Sequence, residues 1–257
     1  MSESLRDYLS FVVETAYLAG RLTLGYYQTG IQPDMKPDDS PVTIADKKAE
    51  DLIRGRIERH YPDHAILGEE QGAKEIEGAT HRWIVDPIDG TKAFMRGVPL
   101  YAVLIGLEIE GTVQAGAAYF PALDEMISAA TGEGCWWNGR RARVSPVEDL
   151  KRAYLTFTDV GSLERYGKLE AFMRLTRATY HRAGWSDAYG YALVATGRAE
   201  IMLDPVMNVW DCGPFPPILK EAGGYFGDWH GNETIYAGEA LSTTQALLPQ
   251  VLSLLRE

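Results

Sequence analysis

The 257-residue sequence predicts a layered α/β fold built from two halves, each a sheet with helices. Three features predict it: a long amphipathic helix opens the chain, β-type segments follow over residues 101–130, and strands alternate with helices over residues 154–222. The change of pattern near residue 145 divides the chain into an N-terminal half, residues 1–145, and a C-terminal half, residues 146–257. We expect one compact unit, because no linker-like stretch and no repeat separates the halves.

The N-terminal half begins with two predicted helices. Residues 4–28 carry apolar side chains at helical spacing, which predicts the first helix. Thr43, followed three residues later by Asp46, forms a potential capping pair and predicts a second helix that ends near Tyr61. HAILGEE is typical of a strand that ends at a turn. Four β-type segments then come after residue 100: YAVLIGLEI, TVQAGAAYF, EMISAA and GEGCWWNGRRARV.

The C-terminal half alternates strands and helices. The predicted strands are YLTFT, TYHRA, AEIMLD and EALSTT. The predicted helices cover residues 163–175, 187–197, 211–222 and 245–255.

Composition and charge exclude several classes of protein. A net charge of −11 argues against a general nucleic-acid-binding protein, because such proteins hold phosphate backbones with clustered Lys and Arg. A small phosphorylated substrate remains compatible with this charge if metal ions supply positive charge locally. The sequence has no apolar run of about 18 residues and no signal-peptide pattern, so we expect no membrane association and a cytoplasmic location. Two cysteines, Cys135 and Cys212, are too few for a disulfide framework.

The segment RWIVDPIDGTKAF, residues 82–94, ends an apolar strand with two carboxylates, Asp86 and Asp89. Burying an unpaired carboxylate is strongly unfavourable, so these acids need partners. A proline-fixed turn can point both at one site, with the carbonyl of Ile88 between them, and hard oxygen ligands of this kind suit Mg²⁺. Gly90 and Thr91 then open a short helix whose free amides can cradle a phosphate. The combination indicates phosphoryl chemistry.

Three other acids share this chemistry, and each also has an ordinary structural interpretation. Glu69 and Glu70 are consistent with a solvated turn, and Asp211 is consistent with a helix cap. Taken singly, those interpretations are favoured. For D-P-I-D-G-T the functional interpretation is favoured, because a plain turn does not need two acids at the mouth of an apolar strand. We expect these acids to have no basic partner, and the five histidines are scattered in a way typical of surface or packing residues.

The segments GEE, WIVDPIDGT and WDCGPFPPILKEAGG, in this order and spacing, resemble the inositol monophosphatase family of Mg²⁺-dependent, lithium-sensitive phosphatases. The resemblance covers essentially the whole chain. It implies a layered αβαβα sandwich of the inositol monophosphatase and fructose-1,6-bisphosphatase type, two or three Mg²⁺ ions and a phosphate monoester substrate. It also implies in-line attack by water without a phosphoenzyme, the cations lowering the pKa of the water and stabilising the leaving oxygen.

The resemblance also assigns roles to individual residues. The metal ligands it implies are Glu69, Asp86, the Ile88 carbonyl, Asp89 and Asp211. The backbone of Gly90 and Thr91 resembles the family's phosphate cradle. Asp46 corresponds to an acid that pairs with the motif threonine, Thr91, to orient the attacking water, and Glu70 corresponds to a second glutamate near a third, weaker metal.

Substrate choice is expected to depend on the C-terminal half. Asp204 falls where inositol phosphatases commonly place a glutamate for ring hydroxyls, and Asp187 replaces a small residue expected there. If both face the pocket, the leaving group should carry positive charge, as L-histidinol phosphate does. Each acid also has a structural interpretation, Asp187 beside a helix N-cap and Asp204 in a pre-proline turn. Trp185 is either a packing residue or a stacking partner for an imidazole, and Arg182 either a surface residue or a contact to phosphate or to a neighbouring subunit.

The sequence therefore predicts a Mg²⁺-dependent phosphatase of the histidinol-phosphatase branch, acting in histidine synthesis and, by family resemblance, a homodimer. The first enzyme alternative is hydrolysis of inositol-1-phosphate. Hydrolysis of a nucleotide bisphosphate or of fructose bisphosphate ranks lower. A catalytically silent metal- or phosphate-binding regulator is the alternative from another class. The presence of both Asp46 and Thr91 argues against silence, because a pure binder does not need a water-orienting pair.

Overall fold

The computed structural model describes residues 3–37, 40–184 and 186–256. Its α-helices within these ranges are α1 (Leu5–Leu24), α2 (Ile44–His60), α3 (Thr91–Met95), α4 (Val160–Arg165), α5 (Leu169–Ala178), α6 (Asp187–Ala195), α7 (Val209–Cys212), α8 (Phe215–Ala222) and α9 (Leu248–Arg256). Its strands are β1 (Asp34–Met35), β2 (Pro41–Val42), β3 (Ala65–Gly68), β4 (Gly72–Lys74), β5 (His81–Asp89), β6 (Ala102–Ile109), β7 (Thr112–Phe120), β8 (Glu125–Ala130), β9 (Gly134–Trp137), β10 (Arg140–Arg141), β11 (Tyr154–Phe157), β12 (His181–Ala183), β13 (Ile201–Asp204), β14 (Gly224–Gly227) and β15 (Ala240–Thr244).

The strands form two large sheets and one small pair. The larger sheet has the order β10-β9-β8-β7-β6-β5-β3-β4 and is antiparallel except where β3 lies parallel to β5. The second sheet has the order β12-β11-β13-β15-β14, and its β11 is parallel to both neighbours. The larger sheet uses only strands before residue 145 and the second only strands after it. The division into two halves stays a prediction, because α6 and α8 of the second half pack against strands of both sheets.

Five layers follow from the packing of apolar side chains. Helices α1 and α2 cover one face of the larger sheet, and α6 and α8 lie between the two sheets in a shared core. Helices α5 and α9 cover the outer face of the second sheet. The predicted αβαβα sandwich is confirmed. Within the described residues, none of the helices has both the length and the apolar character needed to cross a bilayer.

Four points of the predicted secondary structure need correction. The helix predicted over residues 163–175 is two helices, α4 and α5, because Gly167 adopts φ 68° between them. The helix predicted over 211–222 is also two, α7 and α8, which Gly213 and Pro214 separate. Strand β14 was not predicted, since glycine, which is rare in strands, occupies both ends of its sequence GYFG. The fourth correction concerns D-P-I-D, which lies within strand β5 and not in a turn.

Candidate active site

An acidic cavity of about 160 Å³ lies where β5, α6, α7 and the end of β13 meet. Most of the residues that the sequence singles out line it, and both sheets contribute side chains. The lining residues are Glu69, Asp86, Ile88, Asp89, Gly90, Thr91, Thr158, Asp187, Ala188, Asp204, Val206, Met207 and Asp211.

A β-bulge in β5 brings Asp86 and Asp89 to the same side. Asp86 pairs with Leu104 and Asp89 with Ala102, so two residues on β5 oppose one on β6 between these pairs. In a regular strand, residues three apart point to opposite faces, and the extra residue of the bulge removes this offset. The Ile88 amide also donates to Asp86 Oδ1 at 2.9 Å, which fixes the first carboxylate.

Asp211 joins these two acids from α7. It is the third residue of this short helix, where its Oδ2 accepts the Asn208 amide at 2.7 Å in a capping box. The end of α7 packs closely on strand β6 because Gly106 of that strand has no side chain. A Cβ at Gly106 would lie 2.6 Å from the carbonyl carbon of Gly213, which follows α7. The capping interpretation of Asp211 and its place in the cavity are therefore both correct.

Burial, followed by the crowding of like charges, determines the electrostatics of this cluster. One carboxylate oxygen from each of Asp86, Asp89 and Asp211 lies within 4.8 Å of the others. Burial, and then the charges of neighbouring acids, raise the pKa of Asp86 and of Asp89 well above the usual range. Burial likewise raises the pKa of Asp211 to about 7. Such a set of oxygen donors fits a hard divalent cation, which would favour the charged form of each acid.

Glu69 and Glu70 lie beside this cluster on the turn between β3 and β4, and a lysine contacts both. Lys36 Nζ lies 2.8 Å from Glu69 Oε1 and 2.7 Å from Glu70 Oε1. The expectation that the acids lack a basic partner is therefore wrong for Glu69 and Glu70. Glu69 lines the cavity and Glu70 does not; burial raises the pKa of Glu70 to about 7.

The pair expected to orient water is arranged differently. The Thr91 hydroxyl donates to the Ile88 carbonyl at 3.1 Å, whereas Asp46 Oδ2 accepts from the Thr43 hydroxyl at 2.6 Å and from the Thr43 amide at 2.8 Å. Asp46 is therefore the third residue of α2, where it completes a capping box with the N-cap Thr43, and among the described residues it has no hydrogen bond to Thr91. Its buried Oδ1 has no hydrogen-bond partner, and burial raises the pKa of Asp46 to about 6.

Asp187 and Asp204 both face the cavity. Asp187 begins α6, and its amide donates to Thr158 Oγ1 at 3.2 Å. Asp204 ends β13, and its Oδ2 accepts from the Tyr191 hydroxyl at 2.8 Å. Burial raises the pKa of Asp187 to about 6 and that of Asp204 to about 8. These two acids extend the acidic surface of the cavity beyond the three-carboxylate cluster.

Arg182 does not reach the cavity within one chain. It lies exposed on the edge strand β12, and its guanidinium donates to the Thr176 carbonyl at 2.8 Å. Arg182 is not among the residues that line the cavity, and its contact to phosphate or to a neighbouring subunit stays a prediction. Trp185, the expected stacking residue, lies outside the described residues.

Several residues in or beside the cavity were not predicted. Thr158 follows β11, Val206 and Met207 follow β13, and Lys36 precedes the turn it contacts by more than 30 residues. No local motif marks any of them, because tertiary packing of elements distant in the chain brings them to the acids.

Comparison with known proteins agrees with this geometry. A sequence model of the inositol monophosphatase family matches residues 4–257. The histidinol-phosphatase of Chlorobaculum parvum is 42% identical over 240 residues, which cover 91% of this chain and 90% of that protein. The inositol-1-monophosphatase of Mesorhizobium japonicum is 35% identical over 88% of this chain and 86% of that protein.

Solved structures share the fold. The inositol monophosphatase of Anabaena (Nostoc) sp. PCC 7120 superposes with a TM-score of 0.86 at 30% identity, covering 98% of this chain and 96% of that one. The match extends over both sheets, so it includes every element that lines the cavity. The chain belongs to the inositol monophosphatase family of metal-dependent phosphatases, and it is an enzyme that acts on small phosphorylated substrates.

Proposed function

We propose that this phosphatase hydrolyses L-histidinol phosphate to L-histidinol and phosphate, as a step of histidine synthesis. The observation that carries the proposal is that Asp187 and Asp204 line the same cavity as the three-carboxylate cluster. A leaving group with an ammonium and a protonatable imidazole can neutralise these two acids. The 42% identity to a protein named histidinol-phosphatase supports the same substrate.

The acids of the cluster would hold the cations. Glu69, Asp86, Asp89 and Asp211 offer carboxylate oxygens, and Ile88 offers its carbonyl. When bound, Mg²⁺ would activate the attacking water and stabilise the developing charge on the leaving oxygen. The chemistry of these residues supports this role: all the donors are hard oxygens, and the ion pairs of Lys36 are with Glu69 and Glu70.

Three further residues would act on the phosphate and the water. The backbone of Gly90 and Thr91 would orient the phosphate at the start of α3, where free amides are available. The Thr91 hydroxyl would turn from the Ile88 carbonyl toward the water, and Asp46, with one carboxylate oxygen free, would accept the proton that Thr91 passes on. Hydroxyl groups rotate readily, so this change needs no movement of the backbone.

Inositol-1-phosphate is the second candidate, and one observation favours it. Burial raises the pKa of Asp204 to about 8, and a protonated acid suits a neutral hydroxyl better than a cation. The Mesorhizobium relative named inositol-1-monophosphatase is consistent with this alternative. Asp187, with a pKa of about 6, remains the residue that favours a cationic leaving group at neutral pH.

A substrate screen separates the candidates. Purified protein with saturating Mg²⁺ is assayed for phosphate release from L-histidinol phosphate, inositol-1-phosphate, a nucleotide bisphosphate, fructose-1,6-bisphosphate and p-nitrophenyl phosphate. A charge-assisted hydrogen bond contributes about 1.5–3 kcal/mol, so we expect kcat/KM for L-histidinol phosphate to exceed that for inositol-1-phosphate by at least about tenfold. Equal values for the two esters would leave only the phosphatase class.

A further inference from the structure

Glu50 is a fully buried carboxylate behind the turn that carries Glu69 and Glu70, and the proposed mechanism does not use it. It lies on α2 one helical turn after Asp46. Glu50 Oε2 accepts the Glu70 amide at 2.8 Å, and Oε1 accepts the Gln71 amide at 3.1 Å. The guanidinium of Arg54 donates to Oε1 at 2.7 Å. Glu50 therefore satisfies two backbone donors of one turn while its own charge is paired.

Arg54 extends the same contact. It is itself 8% exposed, and its guanidinium also donates to the Gly72 carbonyl, the first residue of β4. Gly68, the last residue of β3, makes room for the pair: a Cβ there would lie 2.7 Å from the carboxyl carbon of Glu50. The Glu50–Arg54 pair thus contacts the amides of the turn, the Gly72 carbonyl after the turn and the backbone of Gly68 before it.

The contribution of this arrangement to folding stability does not account for it. Buried ion pairs contribute little net stability compared with apolar side chains, so stability alone does not explain a buried glutamate here. The turn, in contrast, needs restraint. Glu69 lines the same acidic cavity as Asp86, Asp89 and Asp211, so it faces like charges that repel its carboxylate. The hydrogen bonds that Glu50 accepts from the next two amides oppose the outward movement that this repulsion favours.

We propose that Glu50 is a positioning residue that holds the Glu69–Glu70 turn against charge repulsion and so organises the cluster for a divalent cation. This inference rests on the metal-dependent part of the proposed function. Groups that orient metal ligands typically change metal affinity by about ten- to a hundredfold when they are replaced. The Glu50→Gln substitution should accordingly raise the Kd for Mg²⁺ by that factor, because an amide nitrogen cannot accept from the turn.

The test is isothermal titration of Mg²⁺ into metal-free protein, without substrate, with thermal unfolding measured in parallel. Glu58→Gln is the matched control, since Glu58 lies on the same helix and ion-pairs at 2.9 Å with exposed Lys74 of the same hairpin. We expect its Kd to equal the wild-type value. A folded Glu50→Gln variant with the wild-type Kd, even if its Tm falls, overturns the proposal.

Two further variants keep the test decisive. If Glu50→Gln does not fold, Glu50→Asp keeps the charge but shortens the side chain, and we expect it to weaken Mg²⁺ binding too; an unchanged Kd counts against the proposal. In a Glu69→Gln background, Glu50→Gln should change the Kd little further, because the ligand that it positions is already lost. Fully additive effects would contradict action through Glu69. Absence of Mg²⁺ binding by the wild type would overturn the metal-dependent function and this inference together.

Discussion

The backbone amide of Ala188 donates a hydrogen bond to Asp89 Oδ2 at 2.8 Å, which connects the start of α6 to the bulge of β5. The preceding residue, Asp187, adopts φ 38°, in the left-handed region that residues other than glycine rarely occupy. Strain of this kind persists where the surroundings hold it, often at functional sites. We infer that the strained start of α6 places Asp187 in the cavity and the Ala188 amide on Asp89 at the same time.

The first prediction concerns Asp89→Asn. It removes one charge from the crowded cluster and keeps an oxygen for the Ala188 amide. Activity at a fixed Mg²⁺ concentration should fall about a hundredfold or more, while the Tm of the metal-free protein should rise by about 2–4 °C for each kcal/mol of repulsion relieved.

Differential scanning fluorimetry in EDTA and a phosphate-release assay measure the two effects. EDTA should abolish phosphate release by the wild type, and added Mg²⁺ should restore this activity. Full activity in EDTA, or in the Asp89→Asn variant, would contradict a metal site at this cluster.

The second prediction concerns water activation by Thr91. Thr91→Ala should lower kcat by roughly a hundredfold or more, the scale of losing a positioned proton-transfer group, with Mg²⁺ affinity little changed. Thr91→Ser keeps the hydroxyl and should retain most activity. In the structure the Thr91 hydroxyl donates to the Ile88 carbonyl, a proposed metal ligand, so a purely structural role of Thr91 would affect Mg²⁺ binding. If Thr91→Ala loses Mg²⁺ affinity and saturating metal restores its rate, Thr91 only supports the Ile88 carbonyl.

The third prediction concerns stability at mildly acidic pH. Burial, and then the charge of His81, lower the pKa of His64 to about 4 from an ordinary value of 6.5. The two rings stack with centroids 4.4 Å apart, and His64 Nδ1 accepts from Trp83 Nε1 at 3.1 Å. Between these pKa values the unfolded chain holds more protons than the folded one. The free energy of unfolding should therefore fall as the pH is lowered from 6.5 toward 4, and His64 should contribute no pH dependence above 6.5.

Urea unfolding of the wild type and of His64→Gln at about pH 5.5 and 7.5 tests this. The loss of stability between the two pH values should be smaller in the variant. His181→Gln, at an exposed position on β12, is the control and should behave like the wild type. An equal loss in all three proteins would show that groups other than His64 determine the acid sensitivity.

The sequence predicts the parts of this site that depend on neighbours along the chain. The capping pair Thr43 and Asp46 lies where expected because a cap is a local hydrogen bond. Asp86 and Asp89 are recognisable because two acids end an apolar strand, although the bulge that aligns them resembles a proline turn in sequence. The two halves of sheet and helices follow from periodicity for the same reason, whereas the αβαβα sandwich was implied by the family resemblance.

Contacts between residues that lie far apart in the sequence could not be predicted from such local patterns. Lys36 reaches Glu69 across 33 residues, and Tyr191 reaches Asp204 only because α6 packs on β13. Arg182 was a candidate ligand on its chemistry, and the edge position of β12 turns it to solvent. Pairings of this kind depend on how elements distant in the chain pack together, which no local pattern encodes.

The last prediction concerns substrate preference, and it separates charge from strain at position 187. Asp187→Asn keeps a side chain that tolerates positive φ but removes the charge, whereas Asp187→Gly removes both the charge and the strain. If the carboxylate recognises a cationic leaving group, both variants should reduce the kcat/KM preference for L-histidinol phosphate over inositol-1-phosphate by about tenfold or more. Hydrolysis of p-nitrophenyl phosphate, which has no cation, should change much less in Asp187→Asn. A loss confined to Asp187→Gly, and equal for all esters, would instead assign Asp187 to holding the Ala188 amide on Asp89. Unchanged preference in both variants would falsify the role of Asp187 in substrate choice and leave the inositol ester as the stronger candidate.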